Sequence, residues 1–362
     1  MSEAIELAGH ALKTSPNPQV GAVLCVGTEI FATGFHQAAG CPHAEIEVFN
    51  QLKEIPKNAT LYVTLEPCCH IDKQTAPCSD AILKSGIKKV VVGCLDPNPA
   101  VQGKGVRLLR KNGLLVEVGC LKEQCEDLIR PFQKWITQKK PYLILKSAMT
   151  LDGKIADSQG NSKWISSKES RKKVHELRAK ADAIMVGAGT VKADDPLLTV
   201  REVKGENPLR IIIDPNLSLN SSYQVFQSAK ETPTLLVIHE NLKDKKKLKS
   251  FRQMGVEILF CKFKKEKMDW QNLMQQLTSK NITQILVEGG AALSSSLLEI
   301  GFVDELQLFI AVKILGGLGL QLFQNFEKKK LSEACSFQLV EQESVGGDLW
   351  MKLYPLIPKN EA

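Results

Sequence analysis

Short apolar runs alternate with amphipathic stretches along the 362 residues of the chain, and this alternation predicts its order of elements. Apolar runs rich in β-branched side chains and bounded by turn residues predict strands. These runs lie at 20–26, 61–65, 90–95, 114–118, 142–149, 183–187, 210–213, 234–238, 257–260, 284–288 and 306–312. Helical periodicity predicts helices at 44–53, 79–86, 104–113 and 167–180. Strands that alternate with helices are typical of layered α/β folds.

A break in this pattern near residue 140 predicts two domains. The stretch EDLIRPFQKWITQKKP (126–141) is helical at first, then polar and basic, and it ends at Pro141 before a new strand begins. A chain of this length also exceeds one comfortable hydrophobic core. We therefore expect domains at 1–140 and 141–362. The 225–280 region is polar, and no motif in it indicates a role.

Composition indicates a soluble globular protein, with 43% apolar and 24% charged residues. No apolar run reaches the roughly 18 residues that a membrane span needs, so we expect no membrane partner. The N-terminal MSEAIELAGHALK favours an amphipathic helix over a signal peptide, and we expect a cytoplasmic protein. The net charge of +7 is concentrated in lysine runs at 243–249 and 262–267, which a solvated surface explains better than a nucleic-acid partner.

Eight of the ten cysteines fall in the first 125 residues, where they suggest a metal site. His43 and Glu45 open a helical pattern, Cys68 follows a strand, and Cys78 precedes a helix. One imidazole and two thiolates would leave a zinc ion an open position for water, which is typical of catalytic sites. Glu45 could then transfer the proton of that water to a leaving amine.

The spacing of these residues matches only half of a known signature. Zinc deaminases of nucleobases carry H-x-E followed by P-C-x-x-C. The sequence has HAE and EPC, but nine residues separate Cys68 from Cys78. Cys69 and His70 therefore remain alternative ligands.

The second half lacks a G-x-G-x-x-G dinucleotide fingerprint at a strand end. Three of its stretches stand out, namely KSAMTLDGKIA (146–156), VGAGTVKADDPLLTVR (186–201) and VEGGAALSSSLL (287–298). The last passes from a strand through two glycines into a helix, where backbone N–H groups can approach a phosphate. A plain turn is the alternative interpretation of that stretch.

Four motifs of the first half resemble the deaminase half of the bifunctional riboflavin-biosynthesis deaminase–reductase family. They are TSPNPQVGAV (14–23), GFHQAAGCPHAE (34–45), TLEPCCHIDKQTAPC (64–78) and DPNPAVQGKG (96–105), although we assign the last no catalytic role. In that family a long cysteine spacing replaces P-C-x-x-C. The resemblance implies a cytidine deaminase-like three-layer α/β/α domain that deaminates 2,5-diamino-6-ribosylamino-4(3H)-pyrimidinone 5′-phosphate.

The same resemblance implies the roles of individual residues in the first half. It makes His43, Cys68 and Cys78 the zinc ligands and Glu45 the proton shuttle, and it places Asn17 and His36 on the substrate. The loop DKQTAPC looks one residue longer than in the family. Lys73 would contact the substrate phosphate, although Gln74 occupies the aligned position.

The second half resembles the reductase half of that family, which implies a dihydrofolate reductase-like α/β domain. Such a domain uses NADPH to reduce the ribosyl group to ribityl, giving 5-amino-6-ribitylamino-uracil 5′-phosphate. Cofactor contacts would come from Ala148, Trp164, Thr190, Asp194, Gly290, Ala291, Ala292, Leu293, Ser294, Ser295 and Ser296. Substrate contacts would come from Ser162, Arg178, Leu198, Arg201 and Glu288. Lys146, Asp194 and Glu288 are the candidate polar groups near the reacting ribose.

Two alternatives of other classes stay open at this point. A base deaminase acting on tRNA would explain HAE and the positive charge, but not the cysteine spacing or the ADDP and EGG motifs. A non-enzymatic zinc scaffold would not need Glu45. We expect a small phosphorylated pyrimidine as the partner, one zinc ion per chain, NADPH, and a homo-oligomer.

Overall fold

Pro141 marks the point where the packing of the chain divides, with one compact unit spanning Met1–Pro141 and another spanning Tyr142–Ala362. The structure, a computed structural model, describes residues 1–69, 76–264, 267–324, 326 and 330–356. Among those residues, no helix has both the length and the apolar character needed to cross a bilayer.

In its described residues, the first unit contains a five-stranded sheet and six helices. Its strands are β1 (Gly21–Val26), β2 (Glu29–Phe35), β3 (Thr60–Leu65), β4 (Lys89–Cys94) and β5 (Leu115–Val118), in the spatial order β2-β1-β3-β4-β5. Its helices are α1 (Ser2–Gly9), α2 (Ala44–Asn50), α3 (Cys78–Ser85), α4 (Lys104–Lys111), α5 (Lys122–Leu128) and α6 (Arg130–Gln138). Strand β1 runs antiparallel to β2 and β3, while β3, β4 and β5 are parallel.

Close approaches at two glycines show that helices cover both faces of this sheet. A Cβ on Gly21 would lie 1.9 Å from the carbonyl oxygen of Ala4 in α1. Gly34 in β2 pairs with the residue of β1 that follows Gly21. A Cβ on Gly34 would lie 2.6 Å from the carbonyl oxygen of Ala44 in α2. Since successive strand residues face opposite sides, α1 and α2 lie on opposite faces. Three layers result, as the resemblance implies.

The second unit is built on a nine-stranded mixed sheet. Its strands are β6 (Tyr142–Thr150), β7 (Lys154–Ala156), β8 (Ala183–Gly187), β9 (Leu209–Ile213), β10 (Thr234–His239), β11 (Glu257–Cys261), β12 (Phe263–Lys264), β13 (Lys267–Met268), β14 (Gln284–Val287), β15 (Glu305–Ala311), β16 (Leu320–Gln321), β17 (Phe337–Val345) and β18 (Asp348–Pro355). Its helices are α7 (Lys168–Lys180), α8 (Ala188–Asp194), α9 (Gln224–Gln227), α10 (Leu248–Gln253), α11 (Trp270–Thr278) and α12 (Ala291–Glu299), with 3₁₀ turns at Glu240–Leu242 and Leu331–Glu333.

The large sheet has the order β11-β10-β9-β8-β14-β6-β15-β18-β17. The first seven strands of this spatial order, which starts at β11 and reaches β15, are parallel to one another. Strands β18 and β17 continue the sheet antiparallel. A core cluster that includes Leu145, Met185 and Val287 packs under its centre. Because neighbouring parallel strands end at the same edge, the residues after β8 and β14 meet the last residues of β6 there.

Every predicted strand overlaps an observed one, but the sequence pattern missed β2, β17 and β18 and the short strands β7, β12, β13 and β16. In β17, seven consecutive residues from Gln338 to Ser344 are exposed, so no buried face imposes an alternation of apolar and polar positions. Strand β2 begins with three exposed residues. The 225–280 region, which carried no motif, supplies β10, β11, α10 and α11 to the second unit.

Candidate functional site

Three separate elements of the first unit bring one histidine and two cysteines together. His43 is the N-cap residue of α2, Cys68 follows the end of β3, and Cys78 is the first residue of α3 after Pro77. The ligand atoms of these three residues all lie within 4.8 Å of one another. A helix N-terminus stabilises negative charge, so Cys78 occupies a position that favours a thiolate.

The spacing of the three ligand atoms fits a tetrahedral metal ion. Nδ1 of His43 lies 3.1 Å from Sγ of Cys78 and 3.7 Å from Sγ of Cys68. Zinc bonds of about 2.0–2.3 Å place tetrahedral ligands about 3.5 Å apart. The backbone N–H of Cys78 donates to Sγ of Cys68 at 3.3 Å, a hydrogen bond that suits a thiolate.

The electrostatics of the thiols also favour a bound cation. A hydrogen bond with Cys68, followed by burial and the nearby Glu45, raises the pKa of the Cys78 thiol. Two buried sulfurs next to a carboxyl group are therefore poor anions unless a cation compensates them. A divalent ion supplies that compensation and deprotonates its thiol ligands.

Glu45 lies in the first turn of α2, beside these three side chains. Its side chain is 3% exposed. Burial raises the pKa of its carboxyl group, the charge of Cys68 raises it further, and His43 opposes the shift. A carboxyl group with a raised pKa holds a proton more readily than an exposed one, which suits a proton shuttle.

Asn17 and His36 form a hydrogen-bonded pair next to the cysteine cluster. The amide nitrogen of Asn17 lies 3.1 Å from Nε2 of His36, and Nδ1 of His36 lies 3.0 Å from the carbonyl oxygen of Pro42. Nδ1–H therefore donates to Pro42 while Nε2 accepts from Asn17. The imidazole of His36 packs edge-on against that of His43, with 5.5 Å between the ring centroids.

A cavity of about 190 Å³ joins these groups into one site. Asn17, His36, His43, Glu45 and Cys68 all line it. The alternative ligand Cys69 is not part of the three-residue cluster found in the described part of the chain. His70, Lys73 and Gln74 lie outside the described residues.

The same cavity is also lined by Glu66, Asp96 and Asn98, to which no sequence motif assigned a role. The carboxylate of Glu66 accepts backbone hydrogen bonds from Asp96 at 3.2 Å, Gly103 at 2.7 Å and Val106 at 3.0 Å. The loop that contains DPNP is thus attached to the strand that leads to Cys68. An acidic residue directly after a buried strand was the signal available in the sequence.

In the second unit, a cavity of about 490 Å³ lies at the carboxyl ends of β6, β8 and β14. Most of the residues expected to contact cofactor or substrate line it. They are Lys146, Ala148, Ser162, Trp164, Arg178, Thr190, Asp194, Leu198, Arg201, Glu288 and Gly290.

A buried charged cluster forms one wall of this second cavity. Arg178 in α7 donates from Nε and Nη2 to the two carboxylate oxygens of Glu288, at 2.6 and 2.9 Å. Nζ of Lys146 lies 4.0 Å from the same carboxylate. Burial opposes ionisation of Glu288, yet Arg178 and Lys146 lower its pKa to about 2. Burial lowers the pKa of Lys146, although Glu288 partly offsets this effect.

Two further side-chain contacts organise the lining of this cavity. Ser162 donates to the carboxylate of Asp194 at 3.0 Å. The backbone N–H of Gly290 donates to the hydroxyl oxygen of Thr190 at 3.0 Å. This bond fixes the glycine turn directly before α12.

The rest of the 290–296 stretch is divided between the helix surface and the core. Ala292 is exposed and Ser296 is half-buried. Ala291, Leu293, Ser294 and Ser295 are buried, and Leu293 packs into the main core cluster. Of these seven residues, Gly290 is the one that lines the cavity, so α12 presents its N-terminal end to it.

Aromatic and basic side chains complete the mouth of the second cavity. Trp164 is 66% exposed, and the guanidinium carbon of Arg171 lies 4.3 Å from its ring centroid. Arg201 is exposed, and its guanidinium donates to Thr199 at 2.7 Å. The backbone N–H of Arg201 donates to Nδ1 of His175 at 3.2 Å. Sequence reasoning did not assign a role to Arg171 or His175, because each occupies an ordinary helical position.

Two family models divide the chain much as its packing does. The cytidine and deoxycytidylate deaminase zinc-binding region matches residues 1–94, and the RibD C-terminal domain matches residues 141–351. Fold, site and matches together define a zinc-binding deaminase joined to a reductase.

Relatives that span the whole chain identify the family more closely. The riboflavin biosynthesis protein RibD of Aquifex aeolicus is 44% identical over 93% of this chain and 92% of its own length. That of Actinobacillus pleuropneumoniae is 40% identical over 99% of this chain and 95% of its own. The chain belongs to the RibD family of riboflavin biosynthesis proteins.

Solved structures agree over the full length. A diaminohydroxyphosphoribosylaminopyrimidine deaminase/5-amino-6-(5-phosphoribosylamino)uracil reductase from Thermotoga maritima is 36% identical and covers 98% of this chain and 97% of its own, with a TM-score of 0.86. RibD of Acinetobacter baumannii is 34% identical and covers 98% of each chain, with a TM-score of 0.84.

These matches confirm several predictions from the sequence. The two-domain α/β fold is confirmed, and the chain is a bifunctional deaminase and reductase of riboflavin biosynthesis. Zinc serves the deaminase domain and NADPH serves the reductase domain. Neither a tRNA-acting deaminase nor a zinc scaffold accounts for the match over 141–351.

Proposed function

We propose that the domain spanning 1–140 deaminates 2,5-diamino-6-ribosylamino-4(3H)-pyrimidinone 5′-phosphate. The domain spanning 141–362 then reduces the ribosyl group of the product to ribityl, giving 5-amino-6-ribitylamino-uracil 5′-phosphate. The name of the Thermotoga maritima relative supports this pair of reactions. The single observation that carries the proposal is the cluster of His43, Cys68 and Cys78 beside the buried Glu45.

In the deaminase site, His43, Cys68 and Cys78 would hold the zinc ion. Bound zinc lowers the pKa of a water molecule toward about 7 and so supplies the nucleophile. Glu45 takes the proton from the attacking water and transfers it to the departing nitrogen. A C–O bond forms, the C–N bond breaks, and ammonia leaves. The raised pKa of Glu45 suits both halves of this transfer.

Asn17 and His36 would orient the substrate, and Lys73 would bind its phosphate. The hydrogen bond between Asn17 and His36 restrains both side chains at the cavity wall, which reduces the entropy cost of ordering them on binding. Lys73, rather than Gln74, carries a charge that complements a phosphate.

In the reductase site, NADPH supplies the hydride, and the residues of the cavity position it and handle the proton. We assign the proton donor to Lys146. It protonates the ring oxygen of the ribose as hydride adds to the anomeric carbon and the bond between that carbon and the ring oxygen breaks. Its lowered pKa makes it a better acid than an exposed lysine. Glu288 holds the ammonium charge of Lys146 in place, and Asp194 completes the polar surface near the ribose through Ser162.

Of the two arginines expected on the substrate, Arg201 is the better phosphate ligand. Arg178 already donates two hydrogen bonds to Glu288 and a third to the carbonyl oxygen of Thr199 at 3.0 Å. Arg201 is exposed at the cavity mouth, where a dianion loses less solvation. Leu198 would pack against the same substrate.

The cofactor would lie against a second group of lining residues. Ala148, Trp164, Thr190 and Asp194 line the cavity, and the turn at Gly290 leads into α12. Backbone N–H groups at Ala291 and Ala292 can bind a cofactor phosphate, because the start of a helix attracts negative charge. The remaining residues up to Ser296 hold that helix against the core.

The molecular partner is a small phosphorylated pyrimidine, and we propose that the protein acts without nucleic acid, as a homo-oligomer in the cytoplasm. Val312, Ile314 and Leu318 are 72%, 76% and 85% exposed in one short segment, and an interface between copies would cover them. A reducing compartment would keep the thiol ligands available.

A coupled assay tests the proposed pair of reactions. The diaminopyrimidine phosphate is supplied with NADPH, and ammonia and NADPH absorbance are followed together. We expect ammonia release without NADPH, and NADPH oxidation only after ammonia has been released. NADPH oxidation without ammonia release, or neither signal, would contradict the proposal.

A further inference from the structure

One wall of the deaminase cavity has no part in the chemistry described so far. Helix α6 contributes Phe132, Trp135 and Ile136, which line the same cavity as Glu45 and Cys68. The spacing of three and four residues places these side chains on one face of the helix. The cavity thus has a polar, metal-binding side and an apolar side.

The indole nitrogen of Trp135 is buried and has no hydrogen-bond partner within the described ranges of the chain. Indole N–H is a donor only, and a buried donor without an acceptor costs free energy. Nζ of Lys139 lies 5.4 Å from the ring centroid, and an ammonium group is not an acceptor. Ser79 and Ser295 also have buried unpaired hydroxyl oxygens, but neither of these residues lines the deaminase cavity.

The charges around the cavity indicate which part of the substrate lies against this wall. Its described lining residues include the carboxyl groups of Glu45, Glu66 and Asp96, and neither lysine nor arginine is among them. A phosphate dianion would be repelled by such a lining and desolvated by Phe132 and Ile136. A neutral heterocycle with a carbonyl oxygen fits both the charge and the apolar wall.

We infer that Trp135 is a substrate-binding residue of the deaminase site, whose Nε1–H donates a hydrogen bond to a neutral acceptor on the pyrimidinone ring. Phe132 and Ile136 pack against the same ring. This inference rests on the proposed function, because that function supplies the pyrimidinone. Trp135 would select rings that present an acceptor and would disfavour rings that present an amine there.

Trp135→Phe tests this role, since phenylalanine keeps an aromatic wall and removes the donor. We expect kcat/KM for ammonia release to fall about tenfold, chiefly through KM, as for one lost hydrogen bond in a buried site. Zinc content and NADPH oxidation with the deaminated substrate should not change. Trp270→Phe is the matched control, because Trp270 packs against the core of the other unit. An unchanged kcat/KM in Trp135→Phe would overturn the inference.

A measurement on the unmodified protein covers the case in which the variant folds poorly. Tryptophan is labelled with ¹⁵N, and the indole signal of Trp135 is assigned by replacing each of the other three tryptophans in turn. Saturation with the deaminated product should move this indole proton downfield. A signal that does not move would refute the role of Trp135. Absence of ammonia release by the unmodified protein would instead refute the proposed function, so the two failures are distinguishable.

Discussion

Arg178 donates hydrogen bonds of 2.6 and 2.9 Å to the two carboxylate oxygens of Glu288. The two residues are 110 positions apart in the chain. This pair holds a negative charge 4.0 Å from the ammonium group of Lys146. Burial lowers the pKa of Lys146, and the charge of Glu288 counteracts that effect. The pair therefore sets the proton affinity of the group that we assign as the proton donor.

Glu288→Gln should shift the pH profile of the reductase. Without the carboxylate, the pKa of Lys146 falls further, so protonated Lys146 is lost at lower pH. We expect the alkaline decline in NADPH oxidation to move to lower pH, while ammonia release is unaffected. An alkaline limb in the same place as in the wild-type protein would exclude Lys146 as the donor.

The same pair predicts how acid affects the second unit. Arg178 and Lys146 outweigh the burial of Glu288 and hold its pKa at about 2, against 4.5 ordinarily. A carboxyl group whose pKa is lower in the folded than in the unfolded protein stabilises the fold at pH values above its unfolded-state pKa. That stabilisation is lost as the pH falls through the folded-state pKa. The difference between these two pKa values corresponds to about 3 kcal/mol. The free energy of unfolding of this unit should drop between about pH 4.5 and pH 2. Constant stability over this range would contradict the shift.

Glu45→Gln should separate metal binding from chemistry. The amide cannot shuttle a proton, so ammonia release should fall by about 10²- to 10⁴-fold. Zinc content should stay near that of the wild-type protein, because the three ligands are intact. NADPH oxidation with the deaminated substrate serves as the internal control. Ordinary ammonia release by this variant would remove Glu45 from the mechanism.

Glu66→Gln should weaken the loop that contains DPNP rather than the metal site. The side-chain amide of the glutamine would direct an N–H donor at a backbone N–H group of Asp96, Gly103 or Val106. In the wild-type protein, these backbone N–H groups donate to the carboxylate of Glu66. We expect a loss of about 1–3 kcal/mol in the free energy of unfolding and a higher KM for deamination.

The matched control for Glu66 is Glu117→Gln in β5. Glu117 pairs with Lys89 at 2.8 Å on an exposed surface, where such pairs contribute little. Stability should change by less than about 0.5 kcal/mol in this control. Equal effects of the two substitutions would show that Glu66 has no special structural role.

The sequence predicted the elements with strong periodicity and the side chains with distinctive chemistry. Cys68 and Cys78 were identifiable as candidate metal ligands, because thiols are unusual directly after a strand and at the start of a helix. Trp135 was not, because an aromatic residue in an amphipathic helix ordinarily faces a core. Its position on the cavity wall follows from the packing of α6, which no local pattern records.

Contacts between distant segments of the chain could not be predicted from the sequence either. The pairing of Arg178 with Glu288 depends on α7 lying beside the end of β14, and either residue alone looks like an ordinary surface charge. The exposed strand β17 lacks alternation because neither of its faces is buried. Periodicity reports burial, so it cannot report an edge strand that stays exposed.

The zinc content of two neighbouring cysteine variants tests the central claim most directly. Cys68 is in the ligand cluster and Cys69 is not, so Cys68→Ser and Cys69→Ser form a matched pair. We expect about one zinc ion per chain in the wild-type protein and in Cys69→Ser, and loss of both zinc and ammonia release in Cys68→Ser. Full zinc content with normal ammonia release in Cys68→Ser would contradict the account.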